Sequence, residues 1–200
     1  MKRIVLFSNP TEKIIDDLLK LIFPDEIENK VTAYMPSDGE NLKEKYINQW
    51  KDYAEKRNTK FILVNNSKRG DQAKKEAQKI LEADILIITG GNTFTLMSHL
   101  RQSGLDQIIK EFVKKDNFVL TGFSAGAIVL TPTIATSAIK GYDKNEVGLE
   151  DLTGLGIVDF EFFAHYGPKW EKVISEYEKT TGNEVKKLTD EDYLVINLDN

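Results

Sequence analysis

Residues 117–130 read Asn117-Phe-Val-Leu-Thr-Gly-Phe-Ser-Ala-Gly-Ala-Ile-Val-Leu130. A β-rich run, Asn117–Thr121, enters Gly122-Phe123-Ser124-Ala125-Gly126, and small and apolar residues follow that can begin a helix. The pattern G-x-S-x-G is weak alone, but a strand before it and a helix after it are the context in which it forms a nucleophile elbow. There the serine sits at a sharp turn in strained backbone, so the residues two before and two after must be small. A helix starting here also points free N–H groups at whatever binds the serine. The competing reading is a strand-to-helix turn with Ser124 as an ordinary N-cap.

Working outward, apolar runs of strand length alternate with helical segments. Strands are expected at Arg3–Phe7, Lys30–Met35, Phe61–Asn65, Asp84–Thr89 and Asn117–Thr121, with a later apolar run at Ile157–Phe163 and a closing pair near Glu184–Lys187 and Tyr193–Asn197. Helices are expected near Glu12–Phe23, Asn41–Arg57 and Asp71–Ala83, from about Thr93 to Lys115, and near Pro168–Thr180. Alternation of this kind predicts an α/β fold, a mostly parallel sheet with helices on both faces. Ile85-Leu-Ile-Ile88 lacks polar alternation, as a strand buried on both faces should. There is no repeat or linker, so residues 1–200 read as one domain. Thr131–Thr153 is the least regular stretch and is expected to loop beside the carboxyl end of the sheet.

Composition narrows the function. A net charge of −5 argues against a nucleic-acid partner, which needs a basic face. Without cysteine, thiol catalysis, disulfides and thiolate metal sites are excluded. The N-terminal apolar run, Ile4–Phe7, is too short for a signal-peptide core, and no stretch approaches the roughly 18 apolar residues of a membrane span. A cytoplasmic protein is expected, with no metal and no cofactor.

A serine hydroxyl needs a base, and the chain has two histidines. His99 lies inside an expected helix and reads as a partly exposed helix residue. His165 follows the apolar run Ile157–Ala164 and precedes Tyr166-Gly167-Pro168. A strand end is where open α/β sheets build their sites, so His165 and Ser124 could reach one crevice. Acyl transfer also needs donors for the oxyanion. The N–H of Ala125 is one candidate. The N–H of Gly91, in Thr89-Gly90-Gly91-Asn92, is the other, since paired glycines let backbone approach a ligand closely. The same loop read as a phosphate cradle lacks the spacing of nucleotide motifs.

Three blocks, Thr89–Met97 (TGGNTFTLM), Gly122–Ile134 (GFSAGAIVLTPTI) and Phe162–Gly167 (FFAHYG), together resemble the peptidase E family of serine peptidases. That family includes the aspartyl dipeptidases and has cyanophycinase as a relative. The resemblance covers essentially the whole chain. It implies a class I glutamine-amidotransferase-like fold, a flavodoxin-like three-layer sandwich. It further implies Ser124 as nucleophile, His165 as general base, and Gly91 and Ala125 as oxyanion donors. The family's acid lies between the serine and the histidine. Counting forward from Ser124 places it on Ile139, which cannot serve, whereas counting back from His165 places it on Asp143. Asp143 is the first choice and Glu146 the second, against a reading of both as solvated loop charges.

The substrate implied is a small peptide, acted on by a monomer or homodimer. In the family's dipeptidases basic side chains hold an N-terminal aspartate, and Lys68, Arg69, Lys140 and Lys169 are the candidates here. The arginine-rich stretch expected after the histidine is absent, and Gly167-Pro-Lys-Trp-Glu-Lys172 stands instead. The rivals are another serine hydrolase, such as an esterase or a β-aspartyl isopeptidase, and a non-catalytic small-molecule binding domain.

Overall fold

Successive residues of a strand point to opposite faces of its sheet, and in this chain both faces are apolar. The computed structural model describes residues 1–24, 30–139 and 141–198. Its main sheet has six strands in the order β3-β2-β4-β5-β1-β8, formed by β1 (Lys2–Phe7), β2 (Val31–Met35), β3 (Lys60–Leu63), β4 (Ile85–Ile88), β5 (Phe118–Phe123) and β8 (Tyr193–Asn197). Every neighbouring pair is parallel except β1–β8, which is antiparallel. Val5, Phe7, Tyr34, Ile85, Ile87 and Val119 face one layer, built by α1 (Ile15–Ile22) and α2 (Glu44–Glu55). Ile4, Leu6, Met35, Leu86, Ile88 and Leu120 face the other. That layer holds α3 (Gly70–Glu82), α4 (Thr93–Ser103), α5 (Leu105–Phe112) and the short α6 (Ala125–Ile128). The chain is thus the three-layer α/β sandwich expected, and each large apolar side chain so buried contributes about 1.5–3 kcal/mol.

A second, two-stranded parallel sheet pairs β6 (Glu161–Phe163) with β7 (Val185–Lys187). α7 (Glu171–Thr181) covers it through a small cluster of Phe163, Ile174 and Val185.

Three expectations need correction. The helix expected from Thr93 to Lys115 is two helices, because Gly104 takes a left-handed conformation (φ 75°) that ends α4 and opens α5. The closing strands do not pair with each other: β7 joins β6 and β8 joins β1. Of the run Ile157–Phe163 only its last three residues are strand. Among the described residues no helix is long and apolar enough to cross a membrane.

Candidate active site

Parallel strands end on the same edge, and four carboxyl ends converge on one crevice. After β5 comes Ser124; after β1, Ser8; after β6, His165; after β7, Leu188 and Asp190. The register explains the convergence. Phe7 lies opposite Phe123 in the main sheet, and Phe163 opposite Lys187 in the small one. Buried Ser8 ties the two sheets together, accepting from the His165 N–H at 3.0 Å and donating to the Leu188 carbonyl at 2.9 Å.

Ser124 adopts φ 49° and ψ −118°, and His165 also has positive φ, 54°. Strained non-glycine backbone persists only where surroundings over-determine it. Here the Ser124 N–H is held by the Phe7 carbonyl at 3.0 Å. The glycines flanking the elbow are sterically required. A Cβ on Gly122 would lie 2.5 Å from the Gly126 carbonyl oxygen, and one on Gly126 would lie 2.1 Å from that of Ile88.

The side chains then form a chain of polar contacts. Ser124 Oγ lies 2.9 Å from His165 Nε2, and His165 Nδ1 lies 2.5 Å from Asp190 Oδ1. With Nδ1 protonated toward the carboxylate, Nε2 is left to accept from the serine hydroxyl. The site is open: the His165 side chain is 40% exposed and that of Asp190 45%.

Asp190 is the residue that sequence reasoning missed. Asp143 does not face His165. Its Oδ2 accepts from the N–H and the hydroxyl of Thr93, at 3.0 and 2.7 Å, and so caps the N-terminus of α4. Glu146 is exposed farther along the same loop. Thr131–Thr153 thus does pass the carboxyl end of the sheet, where its Asp143 supports the Gly-Gly loop rather than the histidine ring. Asp190 is held by a tight turn before β8. Asp192 accepts from the N–H and hydroxyl of Thr189, and Thr11 Oγ1 donates to the Asp190 carbonyl. A signal was available in Lys187-Leu-Thr-Asp-Glu-Asp192: a Thr-x-x-Asp turn directly after a strand, the rule that singled out His165.

Gly91 has φ 154°, and a Cβ there would lie 2.0 Å from Ser37 Oγ. Ser37 Oγ donates to the Gly90 carbonyl at 2.8 Å, and a Cβ on Gly90 would lie 3.0 Å from that of Ser124. The loop is therefore pressed against the serine. Among the described residues, nothing takes the N–H of Gly91 or of Ala125.

A cleft of about 380 Å³ opens onto Ser124 and His165. A second lobe of about 330 Å³ adjoins it across Tyr34, Tyr46 and Thr89–Gly91, lined farther out by Asp38, Asn41 and Lys43. Of the basic residues considered, Arg69 is engaged by the carbonyls of Asn66 and Lys68 and by Gln102. Lys169 lies over the Trp170 ring at 5.0 Å. Neither these two nor Lys68 lines either lobe, and Lys140 lies outside the described residues. His99, expected to be partly exposed, is 8% exposed within α4.

Known proteins resemble this chain in sequence and in fold. The chain is 33% identical over 104 residues to the Uncharacterized peptidase Lmo0363 of Listeria monocytogenes, a match to half of each chain. It is 26% identical over 192 residues to the Uncharacterized peptidase PM1590 of Pasteurella multocida, covering 90% of this chain and 87% of that one. It is 36% identical over 89 residues to Peptidase E of Shigella flexneri, covering 44% of this chain and 38% of that one. The chain thus spans about half the length of the Listeria relative it matches and less of the Shigella one. A solved structure of a Listeria monocytogenes EGD-e protein assigned as a peptidase E superposes with a TM-score of 0.76 at 22% identity, over 98% of this chain and 94% of that one. A peptidase from an acI-B1 Actinobacterium superposes at 0.68 and 14% identity, over 98% and 83%. Residues 4–200 match the model of Peptidase family S51, and the chain belongs to that family.

Proposed function

We propose that this protein is a serine peptidase that hydrolyses small peptides through an acyl-enzyme, with Ser124, His165 and Asp190 as its triad. The observation that carries the reading is the unbroken path from Ser124 Oγ to His165 Nε2 and from Nδ1 to Asp190, with the serine on a strained elbow. His165 takes the hydroxyl proton as Ser124 attacks the carbonyl, then hands it to the leaving amine. Asp190 fixes the imidazole tautomer and stabilises the imidazolium. The N–H groups of Ala125 and Gly91 receive the tetrahedral oxyanion. Water then attacks the ester by the same route. Family membership and a relative named Peptidase E support this chemistry, and a cleft of this size suits a short peptide.

The test is amine release from a dipeptide panel that includes Asp-Xaa, Glu-Xaa, β-Asp-Xaa and neutral members, with Ser124→Ala and His165→Ala in parallel. Each variant is expected to keep its fold and to lose about 10⁴-fold or more in kcat. An activity that survives Ser124→Ala overturns the reading. A wild-type protein that cleaves nothing, and whose Ser124 resists activated esters, is a binding domain on this fold.

A further inference from the structure

The lobe that opens onto Ser124 is walled by aromatic rings. Phe123, the residue before the nucleophile, stacks on Phe7 at 5.1 Å and on Trp50 at 5.9 Å between centroids. Tyr34 stands against Trp50 at 6.3 Å. Tyr34 and Trp50 are each 3% exposed and line this lobe. Among the described residues, neither the Tyr34 hydroxyl nor the Trp50 indole N–H has a protein partner, and neither polar atom is sealed from the cleft. Tyr34 lines both lobes and so stands where they meet. Burial also raises its ionisation well above the ordinary phenol range, which keeps it a donor.

No lysine or arginine is among the described residues lining this lobe. The basic side chain nearest in the cleft is Lys43, exposed in the outer lobe, which neither Ser124 nor His165 lines. A carboxylate entering this lobe would lose water and meet no lysine or arginine, and an unpaired buried charge is strongly disfavoured. An apolar or aromatic side chain would instead pack on Pro10 and on the exposed ring of Tyr46, which line the same lobe.

Resting on the serine-peptidase reading, we propose that the lobe beside Ser124 selects an uncharged residue with a large apolar or aromatic side chain next to the scissile bond. The Tyr34 hydroxyl donates to a carbonyl of that peptide. Specificity for aspartate is thereby excluded from this lobe.

The experiment compares kcat/KM for two dipeptide series, Xaa-Ala and Ala-Xaa, with Xaa as Phe, Leu, Gln and Asp. Wild type, Tyr34→Phe, Gln49→Arg and Lys43→Gln are measured. Gln49 is exposed at the rim of the lobe, so a new cation there is tolerated. Acylation of Ser124 by p-nitrophenyl acetate is followed separately. Phe or Leu is expected to exceed Asp by about tenfold or more in at least one series. Tyr34→Phe should lower peptide kcat/KM about tenfold, and more than it lowers acetate acylation. Gln49→Arg should raise Asp relative to Phe by about threefold. Asp preferred in both series, with that preference lost in Lys43→Gln, overturns the inference and moves specificity to the outer lobe. It leaves the peptidase reading intact, because Ser124 still acylates. Failure of both cleavage and acylation overturns the two together.

Discussion

Ser124 and Asp190 occupy equivalent places, each just past the carboxyl end of a parallel strand, yet they are built by opposite means. The elbow at Ser124 is made by sterics. Gly122 and Gly126 are there because a Cβ would collide with backbone oxygens, and the strained φ is held by a bond to Phe7. The turn at Asp190 is made by polar side chains. Thr189, Asp192 and Thr11 fold a segment whose carboxylate stays 45% exposed. Steric construction leaves a full motif in the sequence, and polar construction leaves only a short Thr-x-x-Asp turn.

The largest expected effect tests which carboxylate serves the histidine. Asp190→Asn should lower kcat by about 10³-fold, because the amide favours the wrong imidazole tautomer. Asp143→Asn should leave kcat within about twofold and cost about 1 kcal/mol of stability, as the loss of a helix cap does. Steady-state kinetics and urea unfolding on both variants decide it. The reverse pattern would return the acid to Asp143 and break the comparison.

That pair also shows what was legible. The sheet was readable because runs such as Ile85–Ile88 are apolar on both faces, and Ser124 and His165 were marked by glycines and by a strand end. Asp143 was chosen by counting along the chain, which carries no information about which carboxylate turns toward Nδ1. Asp190 is 25 residues beyond His165, and the parallel pairing of β6 with β7 brings it back. No local pattern encodes a pairing between two three-residue strands. The break at Gly104 was missed for a related reason: helical periodicity resumes at once in Leu105–Phe112, so the apolar pattern hides the turn.

A second effect sharpens the steric side. Gly126→Ala adds a Cβ that would sit 2.1 Å from the Ile88 carbonyl oxygen, so β4 and α6 must separate. A loss of about 3 kcal/mol is expected, with a fall in activity as the elbow shifts. Thermal unfolding and acylation kinetics measure the two together. Gly148→Ala is the control, since nothing lies within 4 Å of a Cβ there although its φ is 63°. It should cost only about 1 kcal/mol of backbone strain and leave acylation unchanged.

A third joins the two regions. Ser8→Ala strands the N–H of His165 and leaves the Leu188 carbonyl to the Tyr166 N–H alone. The expected cost is about 1–3 kcal/mol of stability and about tenfold in kcat as the imidazole loses its fixed position. Unchanged kcat would mean that Asp190 alone orients the ring.

The smallest effect separates a carboxylate that holds a turn from one that serves the chemistry. Burial acts to raise the Asp38 carboxyl. Hydrogen bonds from the Asn41 side chain and from the N–H groups of Glu40 and Asn41 outweigh it and hold the group below the usual carboxylate range. A value depressed on folding gives stability that is present above the unfolded value of about 3.9 and is lost as pH falls through the folded one. Because Asp38 is partly exposed, that stability is under about 1 kcal/mol. Asp38→Asn should therefore lower the urea midpoint slightly at pH 7 and match wild type once the pH is below the folded value, with kcat for peptides unchanged. A gap that persists in acid would mean that the carboxylate's shape, rather than its charge, holds the loop beside Gly91. A fall in kcat would place Asp38 in contact with substrate and erase its difference from Asp190.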